Sequence, residues 1–185
     1  MKTIPIIYTE HLILTVLMPA DYLKLFNYQR INHQHLQPWE PLRDKQYFSD
    51  AETKKRALAN FELFQSGVYI PLVGLDKMTG EIVCCANFSN IVHGAFQACH
   101  LGYSINQEEQ GKGLMFEMLE AAIQYVFAEY QLHRIMANYI PTNTRSANLL
   151  KRLGFEQEGL AKSYLKIAGE WQDHVLTSKL YPECN

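Results

Sequence analysis

The hydrophobic period of this chain changes at Gly113, and that change limits the folds open to it. Beyond it, Met115, Met118, Leu119, Ala122, Ile123, Val126 and Phe127 recur at intervals of three and four, the signature of a long amphipathic helix. Before it, Tyr69 to Leu75, Glu81 to Ser89 and Phe96 to Ile105 are short, β-prone apolar runs. Asp76-Lys77-Met78-Thr79-Gly80 and His93-Gly94 separate them, so they predict an antiparallel meander.

Other segments complete the pattern. Leu12 to Val16 predicts a first strand, and Pro19-Ala20-Asp21 opens a helix through about Asn32. Two prolines make Gln37-Pro38-Trp39-Glu40-Pro41 a loop. Ser49, with Glu52 three residues on, is a capping-box start for a helix running to Gly67. Arg134 to Ile140 predicts a strand, and Ser146 to Leu153 a short helix stopped by Gly154. Phe155 to Tyr164 and Glu170 to Leu180 form a last hairpin across Ile167-Ala168-Gly169. This predicts an α/β fold, a mixed, mostly antiparallel twisted sheet of about seven strands flanked by helices. With no linker, repeat or shift in composition, residues 1–185 are expected to form one domain.

Composition removes several functions. At 48% hydrophobic and 19% charged residues, the chain is an ordinary globular one. A formal net charge of -2 argues against nucleic acid as a direct partner, since such proteins present a basic surface. No apolar run is long enough for a bilayer, and Tyr8-Thr9-Glu10-His11 ends the opening apolar stretch before a secretory leader could form. Cys84, Cys85, Cys99 and Cys184 show no C-x-x-C spacing, and the adjacent pair lies in an apolar run. Buried thiols in a reducing cytoplasm are expected. Seven histidines form no H-E-x-x-H pattern, so no metal is expected. Nothing fixes the oligomeric state.

The chemistry centres on Gln110-Gly111-Lys112-Gly113-Leu114-Met115, between a strand and the long helix. Glycines there let the backbone approach a ligand, and the helix's first free N–H groups and dipole suit a pyrophosphate. Turn glycines before helices are common, so the pair alone identifies nothing. A nucleotide P-loop is disfavoured, because Asn106 and Gly113 stand where it needs glycine and Ser or Thr.

In its context the segment resembles the Q/R-x-x-G-x-G/A motif of the GNAT superfamily, with Met115 at the last small position as in the RimJ-type branch. That branch acetylates the N-terminal alanine of ribosomal proteins. Asn32, His35-Leu36 and Pro38-Trp39-Glu40-Pro41 resemble its N-terminal substrate loop, and Leu101-Gly102-Tyr103-Ser104-Ile105 its fourth strand. Leu132 to Tyr139, Asn143-x-x-Ser146, Leu153-Gly154-Phe155 and Gly169-x-Trp171-x-Asp173-His174 resemble its C-terminal half. The likeness spans nearly the whole chain.

The resemblance implies acetyl transfer from acetyl-CoA to a primary amine attacking directly in a ternary complex, with the thioester between two splayed central strands. It implies that Tyr103, Ser104 and Ile105 bind the pantetheine arm through their backbone. Residues Gly111, Lys112, Gly113, Leu114 and Met115 would hold the pyrophosphate beside Gln110. Lys112, Arg145 and Lys151 are candidate phosphate contacts, with solvated surface charge as the alternative for each. Asn143 and Ser146 have two readings: caps of the following helix, or cofactor arm (Asn143) and proton donor to the leaving thiolate (Ser146). Trp39, Glu40, Tyr139 and Trp171, with Tyr164, are candidates for the acceptor pocket, the aromatics alternatively for the core.

The chain also departs from relatives that carry a glutamate base and a tyrosine acid; Asn138 and Leu150 fill those slots. Glu40 and Glu108 are weak substitutes, and a water relay is the preferred expectation. The expected acceptor is the α-amine of a protein N-terminus, an alanine of a small-subunit ribosomal protein. The alternatives are a small amine, such as a polyamine or aminoglycoside, and a ribosome-associated assembly factor without turnover.

Overall fold

The structure is a computed structural model in which residues 2–181 are described; Cys184 lies outside them. The strands are β1 (Ile6–Tyr8), β2 (Leu12–Val16), β3 (Ile70–Asp76), β4 (Ile82–Val92), β5 (Ala98–Ile105), β6 (Arg134–Met136), β7 (Glu156–Ile167) and β8 (Glu170–Leu180). The helices are α1 (Tyr22–Leu36), α2 (Asp50–Ser66), α3 (Leu114–Tyr130) and α4 (Thr144–Arg152). All eight strands form one sheet, in the order β1-β2-β3-β4-β5-β6-β8-β7. Its pairs are antiparallel except β5 with β6.

The apolar pattern decides how the layers stack. All seven periodic residues of α3 are buried, together with Tyr130. They meet Leu12, Leu14, Leu72, Cys84 and Ala86 from β2, β3 and β4 in the main core. Each large side chain so buried contributes about 1.5–3 kcal/mol. At Gly74 a Cβ would stand 2.7 Å from Cys84 Sγ and 3.3 Å from Met118 Sδ, so only glycine lets α3 and the strand approach this closely. A second cluster joins Tyr28 of α1 to Val73, Ile82 and Cys85. The central strands therefore carry apolar residues on both faces, and their continuous apolar runs follow from that.

The capping signals hold. Ser49 Oγ accepts from the Glu52 N–H at 3.3 Å. After α4, Phe155 N–H donates to Leu150 O at 3.0 Å and Gly154 N–H to Lys151 O at 3.1 Å, the two bonds of a Schellman ending.

Four expectations need correction. The sheet has eight strands because Ile6–Tyr8, too short to show a period, pairs with β2 at the sheet edge. α1 begins at Tyr22 after a 3-10 turn over Pro19–Asp21, and it continues to Leu36 because no breaker precedes Pro38. The run Arg134 to Ile140 is a strand only to Met136; beyond it Tyr139 forms one isolated bridge to Val175. The Gln37–Trp39 stretch of the expected loop is a 3-10 turn.

The shortness of β6 creates the site. Ala98, Cys99 and His100 of β5 pair with Arg134, Ile135 and Met136. Past His100 the strands part: β5 continues to Ile105 along β4, while Ala137 N–H turns to Thr177 O on β8 at 3.0 Å. Residues 101–105 thus present a free strand edge to the gap.

Candidate active site

At one end of the gap lies the turn into α3. Gly111 and Gly113 have φ of 76° and 85°, in the left-handed region where glycine carries no penalty. A Cβ at either would meet nothing within 4 Å, so the turn is an open cradle. Gly113 caps α3 without a side chain, which leaves the first N–H groups of the helix to face outward. Met115 is buried, so it can serve a ligand only through its backbone.

Side chains fix this turn from two directions. Arg145 Nη1, at the start of α4, donates to Gln110 Oε1. With its oxygen so engaged, the Gln110 amide must donate to His35 Nε2, 2.9 Å away. Gln110 therefore ties α1, the turn and α4 together and holds the Arg145 guanidinium beside the cradle. Asn32, fully buried, adds a second tie: its Oδ1 accepts from Gln107 N–H at 2.9 Å and its Nδ2 donates to Tyr28 O at 2.9 Å. Lys112 is exposed and paired to Glu109 at 2.9 Å. Lys151 lies apart, lining a separate recess with Tyr139, Asn148 and Gln157.

The other end opens into a cavity of about 490 Å³ whose lining includes Tyr28, Trp39, Glu40, Arg43, Arg56, Tyr69, Asn87, Tyr103, Ser104, Asn138, Tyr139, Asn143, Ser146 and His174. The loop of Trp39 and Glu40 is anchored by the β7–β8 turn, where Ala168 N–H donates to Glu40 O at 2.9 Å. Burial raises the Glu40 carboxyl, against the lowering influence of Arg43 and His33. Where the cavity meets the free edge of β5, the Tyr103 hydroxyl lies 2.6 Å from Ser146 Oγ. Burial pushes Tyr103 up to about 12 even though the Ser146 bond lowers it, so both hydroxyls keep their protons at neutral pH. Asn143 Oδ1 accepts from Ser146 N–H at 3.1 Å, so its capping role is real and it also fixes Ser146.

The sequence candidates separate cleanly. Tyr103, Ser104, Asn143, Ser146, Trp39, Glu40 and Tyr139 share the cavity, and Gln110, Gly111, Gly113, Leu114, Met115 and Arg145 surround the turn. Ile105 ends the free edge of β5. Trp171 is 64% exposed and does not line the cavity. Glu108 lies in the 3-10 turn after β5 and Leu150 in the core, both away from the cavity. Asn138 does reach it, donating to the Tyr164 hydroxyl at 3.4 Å. Arg56, Tyr69, Asn87 and Tyr28, whose hydroxyl lies 2.8 Å from Ser104 Oγ, were not singled out from sequence; each is one polar residue in an unremarkable segment. Among the described residues no three His, Cys, Asp or Glu side chains group as a metal site.

A split strand pair, a glycine cradle at a helix N-terminus and a hydroxyl pair between them define an acyltransferase of one class. The chain belongs to the GNAT acetyltransferase family, whose domain matches residues 11–156, and it is an acetyl-CoA-dependent N-acetyltransferase. It is 48% identical over 177 residues to the [ribosomal protein uS5]-alanine N-acetyltransferase of Escherichia coli, covering 95% of this chain and 90% of the relative. The ribosomal-protein-S5-alanine acetyltransferase of Vibrio fischeri superposes with a TM-score of 0.93 at 39% identity, covering 98% of this chain and 99% of that one. RimJ of Mycobacterium smegmatis, solved in complex with CoA-disulfide, gives a TM-score of 0.87 at 29% identity over 94% of this chain and 83% of its own.

Proposed function

We propose that the chain acetylates the N-terminal alanine of a small-subunit ribosomal protein, the counterpart of uS5, working as one domain in the cytoplasm. The observation that carries this reading is the 48% identity to the uS5-alanine enzyme over nearly the full length of both chains. The cavity supports it. Glu40 is the one carboxylate in its lining, against Arg43 and Arg56, which is poor company for a polyamine or aminoglycoside. A short spermidine acetyltransferase match, covering 40% of this chain, leaves that rival with less support.

Each residue has a task in this scheme. Bound acetyl-CoA supplies the acetyl group as a thioester. The open N–H groups of Leu114, Met115 and Phe116, with the glycine turn and Arg145, suit its pyrophosphate. The free edge of Tyr103 to Ile105 suits its pantetheine amides. Tyr103 can donate to Ser146 Oγ, which leaves the Ser146 hydrogen for a departing thiolate. A thiolate whose conjugate acid has a pKa of about 8.5 leaves with little help, so a hydroxyl need only hydrogen-bond the sulfur and relay a proton to it as the C–S bond breaks.

The test compares two amines. At pH 7.5 roughly a third of α-amino groups are neutral, against about one in a thousand lysine side chains. An enzyme without a carboxylate at Asn138 should favour an alanine-starting peptide at least tenfold in kcat/KM over the same peptide blocked at its N-terminus and carrying an internal lysine. Mass spectrometry locates the acetyl group. Equal acetylation of the lysine rejects the acceptor; no thioester turnover with any amine favours the assembly-factor reading.

A further inference from the structure

We infer that His174 is the proton acceptor for the incoming amine, an inference that rests on the proposed function. Asn138 stands at the slot where some N-terminal acetyltransferases of the superfamily place a glutamate base, so that slot holds no carboxylate here. His174 is 4% exposed, yet it lines the acceptor cavity together with Asn138. The isolated Tyr139↔Val175 bridge sets their relation: one step along it, Ile140 falls opposite His174, and Asn138 shares Ile140's side by strand alternation. The vacant base position and the imidazole are thus neighbours on adjoining segments.

The tautomer follows from one hydrogen bond. His174 Nδ1 lies 3.1 Å from Gln172 O, and a carbonyl only accepts, so Nδ1 carries the hydrogen. A neutral imidazole held this way has its lone pair on Nε2. Nε2 makes no hydrogen bond among the described residues, and the fully buried polar atoms without a partner are His100 Nδ1 and the Tyr130 hydroxyl. Nε2 is not among them, so it keeps some accessible surface where His174 lines the cavity and is available as an acceptor. The ring is held by Tyr164, 5.5 Å away between centroids and tilted by 54°. Adjacent Asp173 is occupied by Ser163 N–H at 2.8 Å. Tyr164 from β7 packs on the ring, and the charged and titratable groups that line the cavity with His174 are Tyr28, His33, Glu40, Arg43, Tyr47, Arg56, Tyr69, Cys85, Tyr103 and Tyr139.

The proton balance closes. The acceptor arrives as an α-ammonium, and Nε2 takes one proton from it, directly or through one water. The amine lone pair forms the N–C bond, the C–S bond breaks, and the sulfur takes a proton from Ser146. The second nitrogen proton replaces the one Ser146 gave, through water, and the first leaves His174 for solvent. An imidazole is matched to an α-ammonium and poorly matched to a lysine ammonium, whose pKa is more than two units higher.

The experiment uses His174→Asn, whose amide can keep the bond to Gln172 O while lacking the base, and His174→Ala with added imidazole. At pH 7 roughly one α-amine in ten is neutral, and at pH 9 nearly all are. The Asn variant should lose about tenfold in kcat/KM for an alanine-starting peptide at pH 7 and less than threefold at pH 9, with acetyl-CoA affinity unchanged. Imidazole should restore the Ala variant. A loss that is the same at both pH values, absent rescue, or full activity at pH 7 overturns the role. Should a variant fail to fold, nitrogen NMR of the wild-type ring decides: protonated Nε2 with bare Nδ1 overturns it. Wild-type enzyme is assayed in parallel on spermidine. Turnover of spermidine but not of peptide rejects the ribosomal acceptor, and imidazole rescue on spermidine then still decides His174.

Discussion

In the proposed scheme the turn at Gln110–Gly113 and the cavity beneath Trp39 serve the two substrates of one reaction, and they are built from different materials. The turn is local and made of backbone: two glycines in left-handed conformation and the free N–H groups of one helix. The cavity takes side chains from α1, α2, β3, β4, β5, β8 and the segments around α4. A backbone site tolerates any sequence that keeps its glycines, which suits the proposed role of holding a group common to the whole family. A side-chain site can be rebuilt residue by residue, so it is where acceptor choice resides. The hydroxyl pair of Tyr103 and Ser146 stands where the two meet.

The largest expected effect tests that meeting point. Ser146→Ala should lower kcat about a hundredfold or more, within the range for proton transfer, with acetyl-CoA affinity nearly unchanged. Turnover within twofold of wild type would reduce Ser146 to a helix-cap neighbour of Asn143 and make the two regions independent.

Next comes a change confined to the turn. Gly113→Val should weaken acetyl-CoA binding more than tenfold, about 1.4 kcal/mol, while the KM for peptide holds. No atom lies within 4 Å of the added Cβ, so the main cost is the backbone strain of a left-handed β-branched residue, about 1–2 kcal/mol or more, and the variant should stay folded. Unchanged affinity by calorimetry in a folded variant would place the pyrophosphate elsewhere.

The smallest effect concerns how α3 is held behind the turn. Glu117, in its first turn, accepts from the Thr9 hydroxyl, from His11 N–H at 2.7 Å and from His11 Nδ1 at 2.8 Å. The bond to Glu117 raises His11, and although burial opposes it, the bonds from Thr9 and His11 hold Glu117 low. A raised histidine stabilises below its unfolded pKa and loses that as pH climbs through the folded one. A depressed carboxyl stabilises above its unfolded pKa and loses that in acid. Both contributions are present near pH 5.5. Glu117→Gln should therefore lower Tm more at pH 5.5 than at pH 8.5, and a pH-independent shift would show that only the hydrogen bonds matter.

The same contrast explains what could be read in advance. The burial of Met115 through Phe127, the Ser49 cap, the ending at Gly154 and the glycine turn all depend on residues within a few positions of one another. Such short-range physics is written in the sequence. β1 escaped because three residues show no period, and β6 was overextended because Arg134 to Ile140 is apolar enough throughout. Trp171 lies in a motif of the right family, but strand alternation turns its side chain outward.

What the sequence determined by itself is therefore the layered α/β frame and the glycine turn before α3, because helix period, caps and glycine conformations are local properties. The tertiary structure alone decided where β5 leaves β6, that Tyr103 and Ser146 share a hydrogen bond across 43 positions, and that His174 lines the same cavity as both. Those depend on which distant segments the sheet order brings together, and hydrophobic periodicity carries no information about that.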